Sequence, residues 1–190
     1  MGKTMLIIGL GGIGTEIARR AFGFGMRIVA TDPKVLEKPL FVEELHKPAA
    51  FRSLVPRADV VTSAVPLTKE SRKMIGEREF ALMKQGAFLI NTGRGALIDT
   101  PELVRALKSG HVGFAGLDVY EEEAGLFFND LSDRVLQDDV LARLLTFPNV
   151  LITSHQAFLT REALAHIAET TLASVDAFAA GKPLVCQVRQ

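Results

Sequence analysis

The 190-residue sequence predicts an α/β protein built on a doubly wound parallel sheet. The first observation behind this prediction is the alternation of short apolar runs with helical patterns, which indicates strands joined by crossover helices. The second is a glycine-rich turn that joins the first apolar run directly to a helix. Because such crossovers are right-handed, strands connected in this way form a single twisted sheet.

The first predicted elements surround the glycine-rich turn. A buried strand at residues 5–8 runs into the sequence G-L-G-G-I-G at residues 9–14, and a helix follows at about residues 13–22. Glycines directly after the helix end it, and a second strand covers residues 27–31. Residues 34–56 are interrupted by prolines, and we assign no elements to them.

Four further strands are predicted downstream, so that the sheet has six. They cover residues 59–63, 87–91, 112–119 and 149–153. A helix is predicted at about residues 77–84, and another runs from Thr100, as N-cap before Pro101, to about Ser109.

The last predicted element is a long helix over residues 161–180, ended by Gly181 and Pro183. Six positions recur at helical spacing and form one largely apolar face: Leu164, Ile167, Thr171, Leu172, Val175 and Phe178. This face either packs on the domain's own sheet or leaves an apolar stripe exposed, and an exposed stripe favours self-association.

Composition excludes several classes of partner. The chain has 22 basic and 22 acidic residues without a basic cluster, so we predict neither nucleic-acid nor membrane binding. No apolar run approaches the roughly 18 residues that span a bilayer, and the first residues do not resemble a signal peptide. Cys186 is the only cysteine, which excludes an intramolecular disulfide and favours a reduced, cytoplasmic location. We predict no metal site.

The glycine spacing predicts a Rossmann-type dinucleotide site. Gly9 permits a tight turn, Gly11 lets backbone amides approach a pyrophosphate, and Gly14 lets the helix pack closely on the strand. Asp32 ends the second strand, 18 residues past Gly14, where a carboxylate binds the adenosine ribose. The alternatives are an ordinary tight turn between strand and helix, and a turn-forming Asp32 before Pro33.

Further residues that suit a binding site lie at the ends of predicted strands. They are Asp32, Pro66, Arg94, Asp118 and His155. Because the carboxyl ends of parallel strands meet at one edge of the sheet, we expect these residues to share that edge with the glycine turn.

Three of the side chains suit chemistry on a small acid. Arg94 can bind a carboxylate bidentately, and His155 can exchange a hydroxyl proton while a hydride moves to or from nicotinamide. Glu123 beside the histidine would orient the ring and favour its protonated form. Alternatively, Arg94 caps loop carbonyls, Glu123 is a solvated member of an acidic run, and His155 is a structural strand-end histidine.

The motifs resemble those of the nucleotide-binding domain of the D-isomer-specific 2-hydroxyacid dehydrogenases. Residues 91–99, N-T-G-R-G-A-L-I-D, are similar to the family's arginine signature, and residues 116–123, G-L-D-V-Y-E-E-E, to its glutamate signature. The segments 126–130, 137–139 and 155–158 resemble the fermentative D-lactate dehydrogenase branch. The resemblance covers almost the whole chain.

The resemblance implies roles for individual residues. Arg94 would anchor the substrate, His155 would be the acid/base, and Glu123 would be its partner. Around NAD it implies Gly12, Ile13, Asp32, Val65, Pro66, Thr92, Gly93 and Asp118, which join Gly9, Gly11, Gly14 and Arg94 as predicted cofactor residues. The sequence departs from the family pattern at Ala64, Ser71 and Ser154, where members often carry His, Asn, and Gly or Pro.

The implied function is an NAD-dependent oxidoreductase that interconverts a 2-oxo acid such as pyruvate and its D-2-hydroxy acid. We predict one dinucleotide-binding domain over residues 1–190, whose segment 161–190 returns toward a substrate domain in the family. Because only Met1–Thr4 precede the first strand, we expect the family's amino-terminal substrate domain to be absent. The alternative is a dinucleotide-binding or interaction module without turnover of its own. The expected partner is a second copy of the chain or a separate substrate-domain chain.

Overall fold

A computed structural model describes residues 2–127, 133 and 136–184 of the protein. The chain divides into two compact units, Met1–His155 and Gln156–Gln190. Residues 128–130 of the predicted D-lactate segment and Cys186 lie outside the described residues.

The first unit is built on a parallel sheet whose described strands follow the order β3-β2-β1-β4-β5-β6-β7. The strands are β1 (Thr4–Ile8), β2 (Arg27–Thr31), β3 (Glu44–His46), β4 (Val60–Ser63), β5 (Ala87–Asn91), β6 (Val112–Leu117) and β7 (Val150–Ile152). The chain runs outward from β1 to β3 and then returns to the other side of β1 for β4. The neighbours β1 and β4 therefore flank the switch point where such sheets bind ligands.

The seventh described strand, β3, corrects the prediction of six. It lies in the segment 34–56, to which no element was assigned. With three half-buried residues it is too short for a periodic signal, and its pairing with β2 defines it instead. The predicted bounds of β2 and β5 agree with the structure, whereas β6 and β7 are shorter than predicted.

Five of the described α-helices lie between strands, and a sixth follows the last strand. They are α1 (Gly12–Gly23), α2 (Phe51–Leu54), α3 (Glu77–Leu82), α4 (Thr100–Lys108), α5 (Asp139–Leu145) and α6 (Arg161–Ala179). The N-cap of α4 is Asp99 rather than Thr100, because Asp99 has extended backbone angles and Thr100 is already helical. The unpredicted α5 begins after Asp138, whose Oδ1 accepts a hydrogen bond from the Leu141 amide at 2.8 Å.

The core occupies both faces of the sheet. All five residues of β1 are buried, as is typical of a central parallel strand. On one face Ile7 packs with residues of α1 such as Ala18. On the other face Leu6 belongs to the cluster that contains Leu103 of α4. Because the sheet is buried on both faces, the carboxyl ends of its strands keep fixed positions relative to one another.

The second unit contains α6. The Thr160 hydroxyl accepts a hydrogen bond from the Ala163 amide at 3.1 Å and caps the helix. The helix covers the predicted segment to within one residue. Among the described residues, no helix combines the length and apolar character that crossing a bilayer requires.

Candidate active site

The glycine-rich turn connects β1 to α1 at the switch point of the sheet. Gly9 has a φ of +93°. A Cβ on Gly14 would lie 2.0 Å from the Gly9 carbonyl oxygen, so the helix reaches the strand only because Gly14 lacks one. Gly11 is the N-cap of α1 and makes no side-chain cap, and the space beside Gly11 and Gly12 is open. This open helix N-terminus fits the pyrophosphate of a dinucleotide.

Asp32 lies at the end of β2 and is 8% exposed. Its Oδ2 accepts from the Leu10 amide of the glycine turn at 2.8 Å. Its Oδ1 accepts from the Lys34 and Val35 amides at 2.7 and 3.0 Å. Burial opposes ionisation, but the three amides and the charge of Lys34 outweigh it and hold the pKa of Asp32 below its usual value. Asp32 is thus an ionised turn-forming residue that also supports the glycine turn.

Two cavities lie at the carboxyl ends of the strands, one beside Asp32 and the other beside Ile13 of the glycine turn. The first has a volume of about 210 Å³ and is lined by Asp32, Val35, Leu36, Leu45, His46 and Lys47. The second has about 370 Å³ and is lined by Ile13, Ala64, Val65, Pro66, Leu67, Thr92, Gly93 and Arg94. The second cavity brings together predicted cofactor residues from α1 and from the segments that follow β4 and β5. Of the residues expected to share this edge, Pro66 and Arg94 therefore line one cavity together with Ile13 of the glycine turn.

The Arg94 turn follows β5 and is held by Asn91. The side chain of Asn91 donates to the Arg94 carbonyl at 2.9 Å and accepts from the Gly93 amide at 3.1 Å. Asn91 is buried, whereas the Arg94 side chain is exposed to solvent. A Cβ on Gly95 would lie 2.0 Å from the carbonyl carbon of Tyr120, so the turn rests directly on the loop that follows β6.

That loop carries Glu123, which pairs with His155. The Glu123 Oε1 lies 2.8 Å from His155 Nδ1, and its Oε2 accepts from the Tyr120 amide at 3.0 Å. Because an ionised carboxylate only accepts hydrogen bonds, Nδ1 is the donor. Glu123 therefore determines the tautomer and orientation of the histidine ring.

Asp118 lies between these elements and is 4% exposed. Its amide donates to the Asn91 carbonyl at 3.0 Å, and its Oδ1 accepts from the Thr153 hydroxyl at 2.5 Å. Its carbonyl accepts from the His155 amide. Asp118 thus joins the end of β5 to the segment that carries His155.

Sequence reasoning missed Asn91, Thr153 and the Tyr120–Asp138 pair as parts of the site. Tyr120 donates to Asp138 Oδ2 at 2.7 Å, and burial together with this carboxylate raises the pKa of Tyr120 well above its usual value. The pair connects the Glu123 loop to the start of α5. Tyr120 and Asp138 lie in the signature segments 116–123 and 137–139, but nothing in the sequence pairs them, because they are 18 positions apart.

The fold and the glycine turn define an α/β domain of the dinucleotide-binding class, in which the arginine turn contacts the loop that carries the carboxylate partner of His155. The family described as D-isomer specific 2-hydroxyacid dehydrogenase, NAD binding domain, matches residues 1–157. The chain belongs to this family. The predicted family, Rossmann-type fold and NAD cofactor are confirmed.

Individual relatives agree with this assignment. The chain is 46% identical over 180 residues to 2-hydroxyacid dehydrogenase A of Aspergillus oryzae, covering 93% of this chain and 50% of the relative. It is 46% identical over 173 residues to D-lactate dehydrogenase of Escherichia coli, covering 90% and 51%. The structure of D-lactate dehydrogenase with NAD⁺ from Lactobacillus jensenii matches with a TM-score of 0.86 at 32% identity, covering 99% and 56%. The chain thus spans about half the length of the curated relatives it matches.

Proposed function

We propose that this chain is the NAD-binding and acid/base part of an enzyme that transfers a hydride between NADH and a 2-oxo acid, with pyruvate and D-lactate as the pair. The observation that carries this proposal is the 2.8 Å pair of His155 and Glu123 beside the Arg94 turn. A histidine held in one tautomer by Glu123, whose loop contacts the arginine turn at Gly95, suits the reduction of a carbonyl next to a carboxylate.

Residues of both cavities would hold the cofactor. The amides at Gly11, Gly12 and Ile13 would face the pyrophosphate, and Asp32 would accept from the adenosine ribose. Val65, Pro66, Thr92, Gly93 and Asp118 would surround the nicotinamide half. Bound NADH supplies the hydride. The chain itself orients the cofactor along the strand ends.

The substrate would bind beside Arg94. The guanidinium would take the carboxylate in a bidentate pair, which places the neighbouring carbonyl oxygen near the histidine. His155 would give a proton from Nε2 to that oxygen while Glu123 accepts from Nδ1 and balances the positive ring. Proton transfer of this kind contributes about 10²–10⁴-fold to a rate.

Turnover would require more protein than these 190 residues. The relatives are about twice as long, and Arg94 is exposed here. Positioning of substrate in a closed cleft supplies roughly 7–11 kcal/mol of barrier lowering. By itself the chain would therefore act as a dinucleotide-binding module. We further propose a cytoplasmic location and a partner that is a second copy or a separate substrate-domain chain.

The test measures binding and turnover separately. NADH fluorescence titration should show binding by the 190-residue chain. NADH consumption with pyruvate should stay far below roughly 1–10³ s⁻¹ for the chain alone. It should appear when the part of the Escherichia coli relative that lies outside the match is fused or added. Failure to bind NADH would contradict the proposal, and ordinary turnover by the chain alone would contradict its need for a further domain.

A further inference from the structure

Two consecutive residues at the site have left-handed backbone angles. Ser154 has a φ of +52° and His155 a φ of +56°. L-residues seldom adopt this conformation, and adjacent examples persist only where surrounding contacts hold them. The turn lies directly after β7 and includes the proposed acid/base itself.

Contacts with Asp118 hold this turn from two sides. The Asp118 carbonyl accepts from the His155 amide, and the Asp118 Oδ1 accepts from the Thr153 hydroxyl at 2.5 Å. The Thr153 amide donates to the Leu117 carbonyl at 3.0 Å, which continues the pairing of β6 and β7. Asp118 is itself buried and anchored on Asn91, so it is a rigid support.

The left-handed turn determines the position of the His155 ring. It brings the His155 amide back to the end of β6, and the loop that follows β6 carries Glu123. The ring then meets Glu123 at 2.8 Å. An extended backbone at Ser154 would continue along the direction of β7 and carry His155 away from Asp118.

We propose that Thr153 and Ser154 are positioning residues for His155. The Thr153 hydroxyl, bound to Asp118, holds Ser154 in a left-handed conformation that its own side chain disfavours, and this places the His155 ring on Glu123. The catalytic meaning of the placement rests on the proposed function, whereas the placement itself does not.

The test reads the ring of His155 by NMR, in the free chain and without substrate. The observable is the exchange rate of the Nδ1 proton that bonds to Glu123, assigned with His155→Gln. Thr153→Val should raise this rate about fivefold or more, equivalent to about 1 kcal/mol. Without the hydrogen bond from the Thr153 hydroxyl to Asp118, Ser154 leaves its unfavourable left-handed conformation more often, and the His155 ring then separates from Glu123. Thr153→Ser keeps the hydroxyl and should keep the rate. Thr146→Val is the matched control, because it removes a threonine hydroxyl bond at the end of α5.

A second substitution separates positioning from general stability. Glycine adopts left-handed angles without cost, so Thr153→Val with Ser154→Gly should restore the slow exchange. Thr153→Val with Ser154→Ala should leave the exchange fast, because alanine, like serine, disfavours left-handed backbone angles. In a fused, active enzyme, Thr153→Val should lower kcat while the KM for pyruvate and the Kd for NADH stay unchanged.

Two results would overturn the proposal. One is an unchanged exchange rate in Thr153→Val, and the other is a failure of Ser154→Gly to restore the rate that Thr153→Val raises. If Thr153→Val does not fold, an unchanged rate in Thr153→Ala would overturn the proposal equally, and a raised rate would support it. The NMR measurement needs no substrate. Failure of the fused enzyme to reduce 2-oxo acids would therefore contradict the proposed function without affecting the test of how His155 is positioned.

Discussion

Replacing the Asp32 carboxylate should weaken both the glycine turn and the discrimination between NADH and NADPH. Asp32→Asn keeps the shape of the side chain but removes its charge and one of its two acceptor atoms. In the wild type one carboxylate oxygen accepts from the Leu10 amide and the other accepts from the Lys34 and Val35 amides. The asparagine side chain has a single acceptor oxygen and cannot make both sets of hydrogen bonds. The Leu10 contact is the buried one, and an unsatisfied buried donor costs about 1–3 kcal/mol. We expect Asp32→Asn to lower the free energy of unfolding by that amount.

The same substitution should change cofactor preference. Like charges 4 Å apart repel by about 4 kcal/mol at an effective dielectric constant of 20, and the charge of Lys34 offsets part of this. We therefore expect the wild type to prefer NADH over NADPH by about tenfold or more, equivalent to about 1.4 kcal/mol. Asp32→Asn should narrow that ratio mainly by tightening NADPH binding.

Urea unfolding followed by circular dichroism measures the first effect, and fluorescence titration with each reduced cofactor measures the second. Asp176→Asn on α6 is the control, because it removes an exposed carboxylate from a different unit. An unfolding midpoint equal to that of the wild type would refute the structural role of Asp32. Equal binding of NADH and NADPH by the wild type would refute its role in discrimination.

The lowered pKa of Asp32 also predicts a pH dependence. A carboxyl group whose folded pKa lies below its unfolded value stabilises the protein above the unfolded value of about 3.9. This contribution is lost as the pH falls through the folded pKa. The destabilisation caused by Asp32→Asn should therefore be constant near neutral pH and shrink in acid. A difference that grows on acidification would contradict the sign of the shift.

Three further predictions concern other parts of the chain. In a fused, active enzyme, His155→Gln should lower the rate of NADH consumption with pyruvate about 10²–10⁴-fold. The control His166→Gln on α6 should leave this rate unchanged. Equal losses of rate in the two variants would contradict the acid/base role of His155. Gly95→Ala should lower the free energy of unfolding, measured in urea, by about 1–3 kcal/mol, because the added Cβ would overlap the Tyr120 backbone. The control Gly23→Ala places its Cβ in open space and should leave this free energy unchanged. Equal stabilities of the two variants would refute the close contact at Gly95. Light scattering over a dilution series should show self-association that Leu172→Glu reduces, because the apolar stripe of α6 favours contact between copies; a strictly monomeric wild type would contradict this.

Much of the fold follows from local patterns. β1, β2 and β5 are short apolar runs because a central parallel strand is buried on both faces, and such runs are visible in the sequence. β3 is invisible there, since three half-buried residues carry no periodicity and only pairing with β2 makes them a strand. The N-cap of α4 is Asp99, one residue before the predicted Thr100, because two residue types that favour N-cap positions adjoin each other there.

The sequence by itself determined which side chains reach the carboxyl edge of the sheet, because parallel strands with known ends must bring Asp32, Arg94 and His155 to one side. Only the tertiary structure decided how those side chains are held. The bonds of Asp118 to Thr153 and of Tyr120 to Asp138 join residues 35 and 18 positions apart, and they depend on strand register and loop path. Local preference reports the conformation that a residue adopts most easily, whereas the left-handed turn at His155 is one that its neighbours impose.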